Sequence, residues 1–269
     1  MDAMQTLNEQ VVVSMTSFPE AIPYAEKTIP YILRGSVLPD KLVIYLTLSR
    51  FEGGRVPESL RLLCESNPIV EVRDRATDIG PYQKLVPALA DFPEAVIVTI
   101  DDDIAYHRHM LRDLLRMHAE FPGAVLAHRA KRIKIGKPYR GWSKYRWYDF
   151  LLKRVYDGPL NLPTGVAGVL YPPHCLRADM LDPEIFTKIA PSTDDVWFWA
   201  AATAAGTPVI PVPFGRNKPR GLHKPKKLSL KTINFKGKTD RNASALEAIL
   251  ERYPEIGLKI SGESRPLAE

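Results

Sequence analysis

Three consecutive aspartates, Asp101, Asp102 and Asp103, stand in the segment VIVTIDDDIAYH at residues 96–107. Adjacent carboxylates repel one another, and the β-branched run before them reads as a buried strand. Side chains alternate along extended backbone, so Asp101 and Asp103 point one way and Asp102 the other. Two carboxylates converging at a strand end need a cation to offset their repulsion. Oxygen-only ligands select hard divalent ions, Mg2+ or Mn2+, which keep positions open for phosphate oxygens. A turn or helix cap is the competing use, but capping needs one Asp, not three. The segment therefore predicts a metal-bound diphosphate, in a register that the triple leaves free to shift by one residue.

A second acidic pair, Asp194 and Asp195 in STDDVWFW (192–199), precedes an aromatic helical stretch. Ser192 or Thr193 as a helix cap, with an acid in the first turn, accounts for the pair structurally. In PTGVAGVLYPP (163–173), Gly165 and Gly168 lack a Cβ and let a ligand come close, or simply form a turn before a core strand. His107 and His109 follow the aspartates, but their spacing fits no hydrolase motif and reads as a helix start.

These residues must be held by a scaffold, and the first half of the chain alternates strand and helix signals. Strands are expected at Val11–Thr16, Lys41–Leu48, Val70–Arg73, Ala95–Ile100 and Ala124–His128. Helices are expected at Tyr24–Leu33, at Pro57–Cys64 with Pro at its start, at Tyr82–Ala90 and at His109–Glu120. This alternation implies an α/β fold with a largely parallel sheet, in which ligands bind beyond the carboxyl ends of the strands. The aspartates lie at one such end. Further on, a strand follows the Gly/Pro-punctuated loop, a helix spans Asp194–Ala205 with Gly206 at its C-terminal end, and Val209–Val212 is a short strand. A helix is expected near Ala243–Arg252. No internal repeat and no long linker divides the chain.

With 269 residues the chain can bury a sizeable core. No apolar stretch approaches the roughly 20 residues of a membrane-spanning helix, and MDAMQTLNEQ is too acidic and polar for a signal peptide. Two cysteines, Cys64 and Cys175, are too few for a disulfide scaffold or a cysteine metal cluster, so a cytoplasmic setting is expected. The net charge of +6 concentrates in Lys131–Arg154 and Arg216–Arg241, each with one aspartate as its only acid. Such runs are solvated faces or contacts for anionic partners: nucleotides, sugar phosphates, lipid surfaces or nucleic acid.

Four segments in order, VVVSMTSFPE (11–20), GPYQKLVPAL (80–89), VIVTIDDDIAYH, and PTGVAGVLYPP with STDDVWFW, resemble the GT-A glycosyltransferases that use nucleotide-sugar donors. The finer resemblance is to bacterial sugar transferases of lipopolysaccharide and capsule assembly. It implies a GT-A (Rossmann-like) α/β fold in a single domain: a mixed, mostly parallel sheet flanked by helices. Residues 1–215 would form that domain, with a nucleotide-binding half at about 10–128 and an acceptor half at about 129–215. Residues 216–269 would be a basic C-terminal extension closing on the active site. The resemblance implies Asp101 and Asp103 as metal ligands and Asp102 near the ribose or sugar. It brings the end of the first strand, with Thr16, Ser17 and Pro19, to the nucleoside, and Gly165 and Gly168 to the donor sugar. Lys84 would meet a phosphate or donor hydroxyl, against its alternative as an exposed helix lysine. In RGLHKPKK (220–227), His223 would complete the metal shell and Lys224 would neutralise the departing diphosphate. An inverting transferase needs a carboxylate to take the acceptor hydroxyl's proton, and Asp195, or else Asp194, matches that position; a retaining enzyme would use the acid differently.

The resulting expectation is a hexosyltransferase-like enzyme that moves a sugar from a nucleoside-diphosphate-sugar, UDP-sugar foremost, to a glycan or lipid-linked acceptor. A nucleotidyltransferase of similar fold is the alternative, although no Gly-rich, Lys-containing phosphate loop stands near the N-terminus. A nucleic-acid-binding protein using 131–154 is a third reading, and that run also suits the anionic inner face of a membrane. No specific nucleic-acid partner is expected.

Overall fold

The computed structural model describes residues 9–152, 155–213, 218–228, 232, 234, 240–261 and 265–266. The N-terminal decapeptide, the second basic run and the proposed extension therefore lie partly outside the described residues.

Seven strands form one sheet: β1 (Val11–Thr16), β2 (Lys41–Leu46), β3 (Val70–Asp74), β4 (Val96–Thr99), β6 (Val125–Ala127), β11 (Val169–Tyr171) and β12 (Val209–Pro211). Their order is β12-β6-β11-β4-β1-β2-β3. All neighbours are parallel except β11, which runs antiparallel to both β4 and β6. That reversal matters for the site. Val169 at the start of β11 pairs with Thr99 at the end of β4 and with Ala127 at the end of β6. The loop entering β11 thus shares one sheet edge with the residues leaving β1, β4 and β6.

Alternation along the strands divides the core between two faces. Val12, Val43, Tyr45 and Ile97 face one cluster, while Val13, Leu42, Ile44 and Val98 face the other. The second face is covered by α1 (Ile22–Leu33), α2 (Glu58–Ser66) and α4 (Met110–Glu120), each through an apolar stripe. The first is covered by α3 (Val86–Asp91), α6 (Pro183–Ile189) and α7 (Asp194–Ala205). In α7 every residue from Val196 to Thr203 is buried. A helix apolar all round lies inside a layer rather than on it. The next two helices, α8 (Arg241–Arg252) and α9 (Pro254–Ser261), supply that outer cover through Leu246, Ile249, Ile256 and Ile260. The chain beyond residue 240 thus returns to the core.

The smaller strands are peripheral. An antiparallel sheet joins β10 (Asn161–Pro163), β7 (Ala130–Arg132) and β8 (Ser143–Lys144) in that order, and α5 (Trp147–Leu151) follows. β5 (Ile104–Ala105) pairs with β13 (Arg220–Gly221), and β9 (Tyr156–Asp157) with β14 (Arg265–Pro266).

One expected element differs. Tyr82–Ala90 is not a continuous helix: a 3-10 turn at Gly80–Lys84 breaks at Leu85 before α3 begins. Pro87 has no N–H to return to Gln83, so the helix cannot run through. The break turns Lys84 inward, and Ser14 Oγ donates to the Lys84 carbonyl at 2.5 Å, hanging the turn on β1. The histidine pair is part of a helix start, with His109 as the N-cap of α4.

Candidate active site

A cavity of about 690 Å³ opens at the carboxyl edge of the sheet, and both acidic runs line it. The backbone leaves β4 after Thr99, and Asp102 and Asp103 lie in a turn. Strict alternation therefore fails, since Lys224 meets both of them: its Nζ is 2.7 Å from Asp102 Oδ1 and 3.6 Å from Asp103 Oδ2. Asp102 is the structural member of the triple. Its side chain is only 9 % exposed. It accepts from Ser17 Oγ at 2.7 Å, and its carbonyl accepts from Thr28 Oγ1 at 3.0 Å. Asp101 and Asp103, 30 % and 27 % exposed, are the members open to the cavity. Burial raises the carboxyls of Asp102 and Asp103 above the usual range, and Lys224 opposes the rise in both.

Lys84 joins the two acidic runs. Its Nζ lies 3.0 Å from Asp101 Oδ1 and 3.0 Å from Asp194 Oδ2. The side chain is 9 % exposed, so it is not an exposed helix lysine. Burial disfavours its charge, but Asp101, Asp194 and Asp195 outweigh burial and hold its pKa well above that of an ordinary lysine. Its neighbours do structural work. Tyr82 stacks on Phe186 with ring centroids 4.0 Å apart, and its hydroxyl donates to the Ala190 carbonyl at 2.6 Å. Gln83 accepts from Thr47 Oγ1 at 3.1 Å.

Asp194 and Asp195 begin α7, where the helix dipole favours negative charge. No side-chain cap bond is made there: Ser192 Oγ instead donates to Asn234 Oδ1 at 2.6 Å. The pair is thus not accounted for by a capping box. Asp194 is buried against Lys84. Asp195 faces the cavity and accepts from the Gly165 N–H at 3.0 Å. Burial raises its carboxyl to about 7, assisted by Asp194 and Asp101 and opposed by Lys84. Gly165 permits this convergence. A Cβ there would stand 2.9 Å from Lys84 Nζ, 3.2 Å from Asp101 Oδ1 and 3.5 Å from Asp195 Oδ1.

The structure thus brings Thr16, Ser17, Lys84, Asp101, Asp102, Asp103, Gly165, Asp194, Asp195 and Lys224 around one cavity. Thr16 spends its hydroxyl on the Tyr45 carbonyl at 2.9 Å. Three expected residues stand outside the lining. Pro19 begins a short 3-10 turn. Gly168 has φ +94° and packs against Met110, where a Cβ would come within 2.9 Å of Sδ. His223 is exposed, with φ 57°, beside the short β5–β13 ladder. The cavity also recruits residues without a sequence signal: Arg50 paired with Asp78, and Arg129, Tyr139 and Thr164.

Among the described residues, no three His, Cys, Asp or Glu side chains gather around one point as a metal cage. Two open carboxylates suit an ion that takes its remaining ligands from substrate phosphate and water, as Mg2+ commonly does. The donor set therefore fits such a metal.

No family model matches the sequence, and no curated protein matches it either. Solved structures do. A mannosyltransferase from Pyrobaculum calidifontis, solved with GDP-Man and Mn2+, superposes with a TM-score of 0.52 at 16 % identity, over 96 % of this chain and 77 % of its own. A 4-diphosphocytidyl-2C-methyl-D-erythritol synthase gives 0.48 at 12 % identity, over 85 % of this chain and 98 % of its own. S. aureus TarS 1–349 gives 0.48 at 12 %, over 91 % and 72 %. The first superposition, together with the mixed, mostly parallel sheet, defines the fold as GT-A-like.

Proposed function

We propose that this protein is a metal-assisted glycosyltransferase moving a sugar from a nucleoside-diphosphate-sugar to a glycan or lipid-linked acceptor in bacterial surface polysaccharide assembly. The observation that carries the reading is the meeting of the two acidic runs in one cavity, through Lys84 at 3.0 Å from each. The surface-polysaccharide setting rests on the resemblance of the four sequence segments.

Asp101 and Asp103 would hold Mn2+ or Mg2+, which stabilises charge developing on the departing diphosphate. Ser17 and Asp102 position the donor side, and Lys224 offers a second cation to the diphosphate. Asp195, oriented by the Gly165 N–H, takes the acceptor hydroxyl's proton. The hydroxyl oxygen then bonds to the anomeric carbon, while the bond from that carbon to the diphosphate breaks with its electron pair on the phosphate oxygen. This direct displacement inverts the anomeric centre. A carboxyl raised toward neutrality is a stronger base than a free aspartate, which suits the step. Lys84 keeps Asp194 from competing for the proton by holding it in an ion pair.

The test is thermal shift with nucleoside diphosphates and their sugars, with and without Mn2+. At least one ligand should stabilise the protein in a metal-dependent way, and Asp103→Ala should abolish that shift. Absence of any shift at millimolar ligand refutes the donor site.

A further inference from the structure

Most charges in the cavity are compensated inside the protein. Arg50 pairs with Asp78, Lys84 with Asp101 and Asp194, and Lys224 with Asp102 and Asp103. Arg129 differs. It lines the cavity and is half-buried, yet among the described residues its guanidinium makes no ion pair or hydrogen bond. Asp195 acts on the same Tyr139 hydroxyl as Arg129, but its carboxylate accepts from the Gly165 N–H and forms no ion pair with Arg129, and the other neighbouring charges supply no counterion. Lys131 and Lys144 stand on the adjacent strands of the small sheet, and desolvation together with the charges of Lys144 and Arg129 pushes the Lys131 amine down to about 8. Asp240, the acid acting on Lys131, spends its carboxylate on the N–H groups of Tyr139, at 2.7 Å, and Ala243, at 3.2 Å. Leaving a partly desolvated guanidinium unmatched is costly, and its planar fork suits carboxylate or phosphate.

Its place in the sheet says which ligand would bring that anion. Arg129 follows the end of β6, whereas Ser17 follows β1, three strands away in the order β6-β11-β4-β1. At about 4.8 Å per strand this separates the two positions by roughly 14 Å. The Arg129 carbonyl accepts from both the N–H and the hydroxyl of Thr164, at 2.9 and 3.1 Å, and the next residue, Gly165, holds Asp195. Arg129 is therefore tied to the proton-accepting side of the cavity and lies away from the Ser17–Asp102–Lys224 side.

We propose that Arg129 binds an anionic group, carboxylate or phosphate, carried by the acceptor close to the hydroxyl that Asp195 deprotonates. This rests on the glycosyl-transfer reading and narrows its acceptor to an acidic or phosphorylated sugar. Tyr139 forms the adjoining wall, with Lys131 Nζ 3.4 Å from its ring centroid.

The test is calorimetric titration of the full chain with methyl β-D-glucuronide, glucose 6-phosphate and neutral methyl β-D-glucoside. It is run with the donor side filled by Mn2+ and whichever nucleoside diphosphate stabilises the protein. Wild type should bind one anionic probe at least ten-fold more tightly than the neutral glycoside, and that probe identifies the anion. Arg129→Gln should reduce the preference to within two-fold while nucleoside diphosphate affinity holds. Arg129→Lys, which keeps the charge without the fork, should retain part of it. The inference is overturned by an absent preference in wild type, by one that survives Arg129→Gln, or by loss of nucleotide binding in that variant. Failure of wild type to bind any nucleoside diphosphate sinks the transferase reading instead, whatever the glycosides do; they are then titrated alone.

Discussion

Asp195 is held by one backbone N–H and crowded by Asp194 and Asp101, so its ionisation is linked to folding. An acid whose folded-state carboxyl is raised destabilises the fold when ionised. The stability is present below the unfolded value near 4 and is lost as pH rises through the folded value of about 7. Asp195→Asn removes that loss. The variant should melt above wild type at pH 8, by about 2–4 °C for each kcal/mol recovered, and the gap should shrink by pH 5 while transfer is abolished. A gap independent of pH would show that burial does not oppose the Asp195 charge. Gly165 makes a different prediction, because its missing Cβ is space that Lys84, Asp101 and Asp195 use. Lys84 is fixed by two ion pairs, so an added methyl displaces the amine or the carboxylates instead of finding a gap. Gly165→Ala should lower kcat/KM at least ten-fold, on the order of 1.4 kcal/mol of transition-state stabilisation, with a melting temperature within a few degrees of wild type. Unchanged kinetics would mean that the acids tolerate a looser arrangement.

At the scale of elements, Gly168 stands beside Gly165 in sequence but does other work. It ends the 3-10 turn Gly165–Ala167 with φ +94° and seats β11 against α4 through Met110. An alanine there meets both a disfavoured φ and a contact of 2.9 Å with Met110 Sδ. Gly168→Ala should therefore cost about 2–4 kcal/mol in denaturant unfolding, with nucleotide affinity intact at temperatures where the variant is folded. Weaker nucleotide binding without a stability loss would return Gly168 to the donor site. The contrast shows what sequence carries. All seven strands of the large sheet announce themselves as short apolar or alternating runs set off by turn and helix signals, and both acidic runs are visible because their members are adjacent in the chain. The inward turn at Lys84 is not, since it depends on Pro87 breaking a helix whose pattern looks continuous. Arg129 is invisible for another reason: one arginine after a strand has no spacing signal, and only the reversal of β11 brings the Thr164–Gly165 loop that holds it to the edge where the acids lie. The strands of the small sheet are two or three residues long, too short for a period to register.

For the whole molecule, the proposed lipid-linked acceptor would need a face of the protein that can rest on a membrane. Among the described residues no helix is long and apolar enough to cross a membrane. The segment from residue 134 to 152 nevertheless exposes Ile135, Leu151 and Leu152, at 53 %, 72 % and 55 %, among exposed Lys134, Lys137, Arg140, Lys144 and Arg146. Apolar side chains interspersed with cations bind anionic headgroups by two additive contributions, a salt-sensitive attraction and a salt-resistant insertion. The segment includes β8, which pairs with β7, and β7 begins at the residue after Arg129. A membrane held by it would therefore lie on the flank of the cavity that Asp195 lines. Sedimentation with vesicles of phosphatidylglycerol and phosphatidylcholine should show binding that rises with the anionic fraction and weakens, without vanishing, in 0.5 M salt. Replacing Leu151 and Leu152 together by Glu should abolish the salt-resistant part and leave nucleoside diphosphate affinity unchanged. Equal binding to purely zwitterionic vesicles, or no effect of the double substitution, would remove this segment as the contact and favour a soluble acceptor delivered directly to the cavity.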